Sequence, residues 1–182
     1  MLSLSKVPVV LRHRRHAPPP TPVMDPGRTS TYRRPALVVI GSSTGGPRHL
    51  GTLLGELPHS FTAPIVVVQH ILSDLAPGLA AWLSRHCDRR VVLADRIRQL
   101  EPNTIYLATG DTHLALRQGN YLVQEPGPAR EHQVCSIDHF FESVASVNAS
   151  HVLGILLTGM GRDGAMGLAA LRRAGAVTVA QE

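Results

Sequence analysis

At 182 residues the chain has room for one packed domain and a tail, not for two independent cores. Its formal charge of +5 suggests a nucleic-acid partner until it is located: residues 1–35 hold seven cations against Asp25 alone, while the other eleven arginines face twelve acids. The tail is thus at +6 and the rest at −1, which excludes a basic globular surface, and no nucleic-acid partner is expected.

The tail, residues 1–35, contains Pro18-Pro19-Pro20 after a His-Arg mixture, lacks apolar periodicity and reads as a disordered linker or leader. Val7 to Leu11, broken by Pro8, is too short for a membrane span or a secretory core. Met24 is an alternative start. Cys87 and Cys135 have neither metal-ligand spacing nor a disulfide framework, and without an export signal the cytoplasm is the expected compartment.

From Ala36 onward, short β-branched runs alternate with amphipathic ones. The first run, Leu37–Ile40, ends in Gly41-Ser42-Ser43-Thr44-Gly45-Gly46, and a helix-like segment follows from Pro47 to Leu57, its apolar spacing clearest over His49–Leu57. Gly41-x-Ser43-x-Gly45 has the pattern of a nucleophile elbow, a serine on a tight strand-to-helix turn. Glycine-rich turns of this kind also cradle phosphates, but here there is no lysine for a Walker loop, and glycines at 41, 45 and 46 miss the dinucleotide spacing. On this turn alone, elbow, nucleotide loop and plain structural turn all stay open.

Further strands are expected over Ile65–Val68, Val91–Ala94, Thr104–Leu107, Val152–Leu157 and Ala176–Ala180. Helices are expected over Leu75–His86, Asp138–Ser150 and Ala165–Ala174, with Asp138 as an N-cap and Gly175 as a C-terminal glycine. His113–Arg117 and Tyr121–Gln124, joined around Gly119-Asn120, read as an inserted hairpin. Strands that are apolar on both faces need helices on both sides. The predicted fold is therefore a single α/β domain over 36–182: a doubly wound, mostly parallel sheet flanked by helices, with a β-hairpin excursion.

In such sheets the active site lies outside the carboxyl ends of the strands. Those ends carry Ser42-Ser43-Thr44, Gln69-His70, Thr109-Gly110-Asp111 and the run Thr158 to Gly164, which includes Asp163. A serine, a histidine and two aspartates thus converge on one edge, the residue types of acyl transfer. Each has a bland reading too. His70 can be a strand-end histidine bonded to a carbonyl, Asp163 a cap for the helix that follows it, and Asp111 a turn residue. His113, His132 and His139 compete with His70 as the base. The order Ser43, His70, Asp163 differs from the Ser, Asp/Glu, His order of α/β-hydrolases, so a different fold would carry the chemistry.

Four collinear blocks carry a resemblance: Val39 to Pro47, Val67-Val68-Gln69-His70, Tyr106 to Leu114, and Leu157 to Ala165 with its continuation through Gly175 to Gln181. Together they resemble the chemotaxis methylesterase (CheB-type) catalytic domain. The resemblance implies hydrolysis of γ-glutamyl methyl esters on the cytoplasmic helices of chemoreceptors, with methanol released, and deamidation of receptor glutamines. It implies Ser43 as nucleophile, His70 as general base and Asp163 as the residue orienting His70. Thr44 and Met160 are the implied oxyanion and substrate-binding positions. It implies no metal and no organic cofactor.

The chain departs from the family pattern in three places. Only the basic tail precedes Ala36 where many members have a receiver domain, so a separate response regulator is the candidate activator. The usual Arg-Pro-Ser-Val-Asp block reads Val134-Cys135-Ser136-Ile137-Asp138. The chain stops at Glu182, where a further helix and strand are expected, as a truncated product would. Two other classes stand against the esterase: a non-catalytic signalling or binding module that keeps the fold, and a nucleotide-binding oxidoreductase, which the glycine spacing disfavours.

Overall fold

The computed structural model describes residues 34–130, 133–147, 149–157 and 161–181. The segment read as a disordered tail lies outside the described residues up to position 33, as do His132 and Met160. The described residues fall within one compact unit.

Six strands build the main sheet: β1 (Leu37–Ser42), β2 (Ile65–Gln69), β3 (Arg90–Leu93), β5 (Thr104–Leu107), β8 (Val152–Leu156) and β9 (Val177–Ala180). Their spatial order is β3-β5-β2-β1-β8-β9, and every neighbouring pair is parallel. Strand β1 sits between β2 and β8, so the chain leaves it on one side and returns on the other. That is the switch point at which doubly wound sheets open a crevice.

Period-two alternation sorts the core into two layers. Val38, Ile40, Ile65, Val67, Ile105 and Leu107 face α1 (Gly46–Gly55) and α2 (Ala76–Cys87), packing on Leu50, Leu54, Leu79 and Leu83. Leu37, Val39, Val66, Val68 and Tyr106 face the other way, into a layer with Phe140, Phe141 and Val144 of α3 (Ile137–Val147) and Leu171 of α4 (Ala165–Arg173). The two layers cover both sheet faces, as continuous apolar strands require.

The hairpin is present as β6 (His113–Arg117) and β7 (Tyr121–Glu125), with Gly119 and Asn120 both at positive φ. A third strand, β4 (Arg98–Gln99), was not expected; it pairs antiparallel with β7 through Arg98↔Leu122 and Gln99↔Tyr121. Two polar residues carry no alternation, so only the partner strand defines it. Helix α1 begins three residues before His49, because Gly45 at φ 81 turns the chain and Pro47 suits a first helical turn. Asp138 is not the N-cap of α3. Ser136 holds that place, its Oγ accepting the His139 N–H at 3.2 Å. Gly175, at φ 97, does close α4, its N–H donating to the Arg172 carbonyl at 3.1 Å.

Candidate active site

The site lies where β1 and β2 end. Ser42 completes β1 and is fully buried, whereas Ser43, one residue on, is half-buried and Thr44 is exposed. The turn is tight. Gly45 takes the left-handed conformation, and the Gly46 N–H closes back on the Ser43 carbonyl at 2.8 Å. A Cβ at Gly46 would run into Ser42 Oγ and Gln69 Oε1, so only glycine fits there. His70 follows β2 directly, and its backbone N–H donates to the Ser42 carbonyl at 2.9 Å, which fixes the step between the two strand ends.

These two turns face each other through side chains. His70 Nδ1 lies 3.1 Å from Ser43 Oγ, and His70 Nε2 lies 2.8 Å from Asp163 Oδ2. The His70 and Asp163 side chains are only 9% and 4% exposed, so the contact is shielded from solvent. Asp163 is ionised at neutral pH. Burial alone would push its carboxyl up, but donors from His70, the Asp138 N–H, the Ser136 hydroxyl and the Ile137 N–H outweigh burial and bring it down to about 2. An anionic Oδ2 accepts a hydrogen bond from Nε2–H, which keeps the ring proton on Nε2. Nδ1 is then bare and accepts the Ser43 hydroxyl. The ring thus uses its nitrogens the other way round from the serine-protease template, in which Nε2 meets the serine.

Asp163 precedes α4, yet its carboxylate does not cap that helix. It turns onto the first turn of α3, where Ser136 Oγ donates at 2.7 Å, the Ile137 N–H at 2.7 Å and the Asp138 N–H at 3.0 Å. The helix terminus and its dipole favour an anion there. Asp138 returns the exchange: its Oδ1 accepts the Gly167 N–H of α4 at 2.6 Å. The carboxylate just before α4 thus serves the first turn of α3, and Asp138 of α3 serves the first turn of α4. Cys135, at φ 63, supplies the reversal that aims the next three residues at Asp163.

The other candidates fall elsewhere. Asp111 is an exposed turn residue whose Oδ1 accepts the Thr109 hydroxyl at 2.6 Å. His113 is buried; its Nδ1 accepts the Ser136 N–H at 3.1 Å and its Nε2 donates to the Pro128 carbonyl at 2.9 Å. It stacks on His139, whose Nε2 meets Glu125 Oε2 at 2.9 Å. Neither reaches Ser43. Thr44 sits at the tip of the turn, its N–H without a partner among the described residues. Sequence reasoning assigned no role to Gln69 or Ser136. A glutamine closing an otherwise apolar strand was the available signal for the first. The second acts across 27 residues, and the serine kept in the Val134 to Asp138 block was its available signal.

A family model described as CheB methylesterase matches residues 38–182. The chain belongs to the CheB methylesterase family. A Cupriavidus metallidurans protein named protein-glutamate methylesterase/protein-glutamine glutaminase 2 is 44% identical over 154 residues, 85% of this chain and 46% of that protein. The Pseudomonas putida methylesterase/glutaminase of group 3 operon is 44% identical over 168 residues, 92% of this chain and 50% of its own length. The chain spans about half the length of the curated relatives it matches. Among solved structures, the Thermotoga maritima CheB methylesterase catalytic domain superposes with a TM-score of 0.75 at 33% identity, over 80% of this chain and 78% of that one. The family match takes in Ser43, His70 and Asp163, and the parallel sheet with its small antiparallel companion is the fold of this family. Among the described residues, no helix is long and apolar enough to cross a membrane.

Proposed function

We propose that the chain is a serine hydrolase that removes methyl groups from γ-glutamyl methyl esters on the cytoplasmic helices of chemoreceptors. The observation that carries this reading is the unbroken hydrogen-bond line from Ser43 Oγ through the His70 ring to Asp163, with 3.1 and 2.8 Å spacings at the carboxyl edge of the sheet. The names of the relatives supply the substrate class.

The mechanism follows from that line. His70 Nδ1 takes the Ser43 proton as Oγ attacks the ester carbonyl, and the Asp163 carboxylate stabilises the imidazolium through Nε2–H. The Thr44 N–H receives the oxyanion, and the family resemblance implies the Met160 position as its companion. The tetrahedral adduct collapses when Nδ1–H hands its proton to the departing methoxide, and methanol leaves. A water molecule then gives a proton to Nδ1 as it attacks the acyl-enzyme carbonyl, and Nδ1–H returns that proton to Ser43 Oγ as the acyl–Oγ bond breaks and the glutamate leaves. With a glutamine substrate the same steps expel ammonia, which is the deamidase activity. The compartment is the cytoplasm.

Incubation with a methylated receptor should release methanol, and Ser43→Ala should abolish the release while keeping its urea midpoint. Full methanol release by Ser43→Ala would refute the mechanism. A folded wild-type chain that releases none but binds the receptor would instead favour a non-catalytic module.

A further inference from the structure

Gln69 makes three hydrogen bonds, and all three end on the two turns that carry the chemistry. Its Oε1 accepts the Ser42 hydroxyl at 2.5 Å, and its Nε2 donates to the Ser43 carbonyl at 2.9 Å and to the His70 carbonyl at 3.0 Å. Gln69 is 3% exposed, and Ser42 is fully buried. The amide orientation is unambiguous on chemical grounds, because a flip would set Oε1 against two carbonyl oxygens, acceptor facing acceptor.

The Ser43 carbonyl therefore receives two donors, Gln69 Nε2 and the Gly46 N–H at 2.8 Å. Both its lone pairs are occupied, so the Ser43–Thr44 peptide plane has no freedom to rotate. In a trans peptide the C=O and the next N–H point in opposite directions. A Ser43 carbonyl drawn inward onto Gln69 obliges the Thr44 N–H to point outward, on the side where Thr44 is exposed and that N–H has no partner among the described residues. The N–H after the nucleophile is the usual oxyanion donor of an elbow.

We infer that Gln69 is a positioning residue that aims the Thr44 amide at the oxyanion and locks the Ser43 turn to the His70 turn, an inference that rests on the acyl-transfer reading above. It touches neither substrate nor the reacting atoms. A glutamine that merely filled a buried polar niche would matter for stability alone. One that aims an oxyanion donor matters for the transition state and leaves substrate binding untouched.

The test compares Ser42→Ala with the double variant Ser42→Ala/Gln69→Met. Replacing both members of a buried polar pair by apolar groups of similar shape preserves folding better than removing one. Ser42→Ala retains both donations to the carbonyls, and the double variant loses them. Removing an oxyanion donor outright costs about 10²–10³ in kcat, and freeing one to rotate is expected to cost about 10- to 100-fold. Relative to Ser42→Ala, the folded double variant should show that drop in kcat for methanol release with KM unchanged. Phosphonate inactivation of Ser43 should slow in parallel. A folded double variant within threefold of Ser42→Ala in kcat would overturn the inference.

Should the double variant unfold, Gln69→Glu keeps the volume and the acceptor for Ser42 while removing the donor, and the same split between kcat and KM is expected. Amide exchange in the unmutated protein needs no variant. The Gln69 side-chain N–H protons should be protected, and the Thr44 N–H resonance should move on phosphonylation of Ser43. A Gln69 amide exchanging as fast as an exposed glutamine would also overturn the clamp. Loss of activity in Ser43→Ala together with wild-type kcat in folded Gln69 variants sinks this inference alone; an active Ser43→Ala sinks the acyl-transfer reading beneath it.

Discussion

Replacing Asp163 by asparagine removes one negative charge from a carboxylate that takes four donors: His70 Nε2–H, Ser136 Oγ–H and the N–H groups of Ile137 and Asp138. The side chain is 4% exposed, so solvent screens these contacts little. Its carboxyl lies at about 2 against an ordinary 3.8. At ~1.4 kcal/mol for each tenfold change in proton affinity, that corresponds to about 2 kcal/mol of folding stability. The folded value lies below the unfolded one, so this stabilisation is complete above about pH 4 and is lost as pH falls through about 2. Urea unfolding of the wild type and of Asp163→Asn, repeated from about pH 6 down to about pH 2, should therefore show the gap between them narrowing by about 2 kcal/mol. A gap that stays constant across that range would mean that the ionised Asp163 is not what holds the first turn of α3, and the reasoning would fail. The same variant should lose about 10³–10⁴ in kcat, because an asparagine no longer selects the Nε2–H tautomer of His70.

Ser136→Ala deletes both the 2.7 Å donation to Asp163 and the N-cap acceptor of α3, and should cost about 2 kcal/mol in a urea titration at neutral pH. Gly46→Ala drives a methyl group into Ser42 Oγ and Gln69 Oε1; a loss of about 1–3 kcal/mol is expected in the same assay, with a fall in kcat from the disturbed turn. Gly164→Ala places a side chain at φ 101 and brings its Cβ to 2.6 Å from Leu156 Cδ1, so a lower urea midpoint equivalent to about 3 kcal/mol is expected.

The apolar strands announced themselves because burial on both sheet faces leaves no polar positions in runs such as Ile65–Val68. The split of Val38 and Ile40 from Leu37 and Val39 was not marked in the residues, all four being apolar, and which helices cover each face depends on the crossovers. Strand β4 was invisible because register with β7, not composition, makes it a strand. The start of α1 was displaced because Gly45 and Gly46 read as a turn, whereas one is a left-handed cap and the other sits where no Cβ fits. At the site, the strand-end rule gathered Ser43, His70 and Asp163 into one short set, and the fold brings all three within hydrogen-bond reach. The crossed capping of α3 and α4 was not legible. Local reasoning assigns Asp163 to the helix that follows it, and only packing reveals that its donors stand 25 to 27 residues upstream. Gln69 escaped for a related reason: its partners are mostly backbone carbonyls, which leave no mark on a residue pattern.

In the proposed mechanism His70 activates Ser43, and not its neighbour Ser42, for attack on a carbonyl. A fluorophosphonate reaction followed by peptide mass spectrometry tests it most directly. One adduct per chain is expected, on Ser43, formed at least ~10²-fold more slowly in His70→Ala, within the ~10²–10⁴ that a positioned general base contributes. An adduct on Ser42, or an undiminished rate in folded His70→Ala, would contradict it.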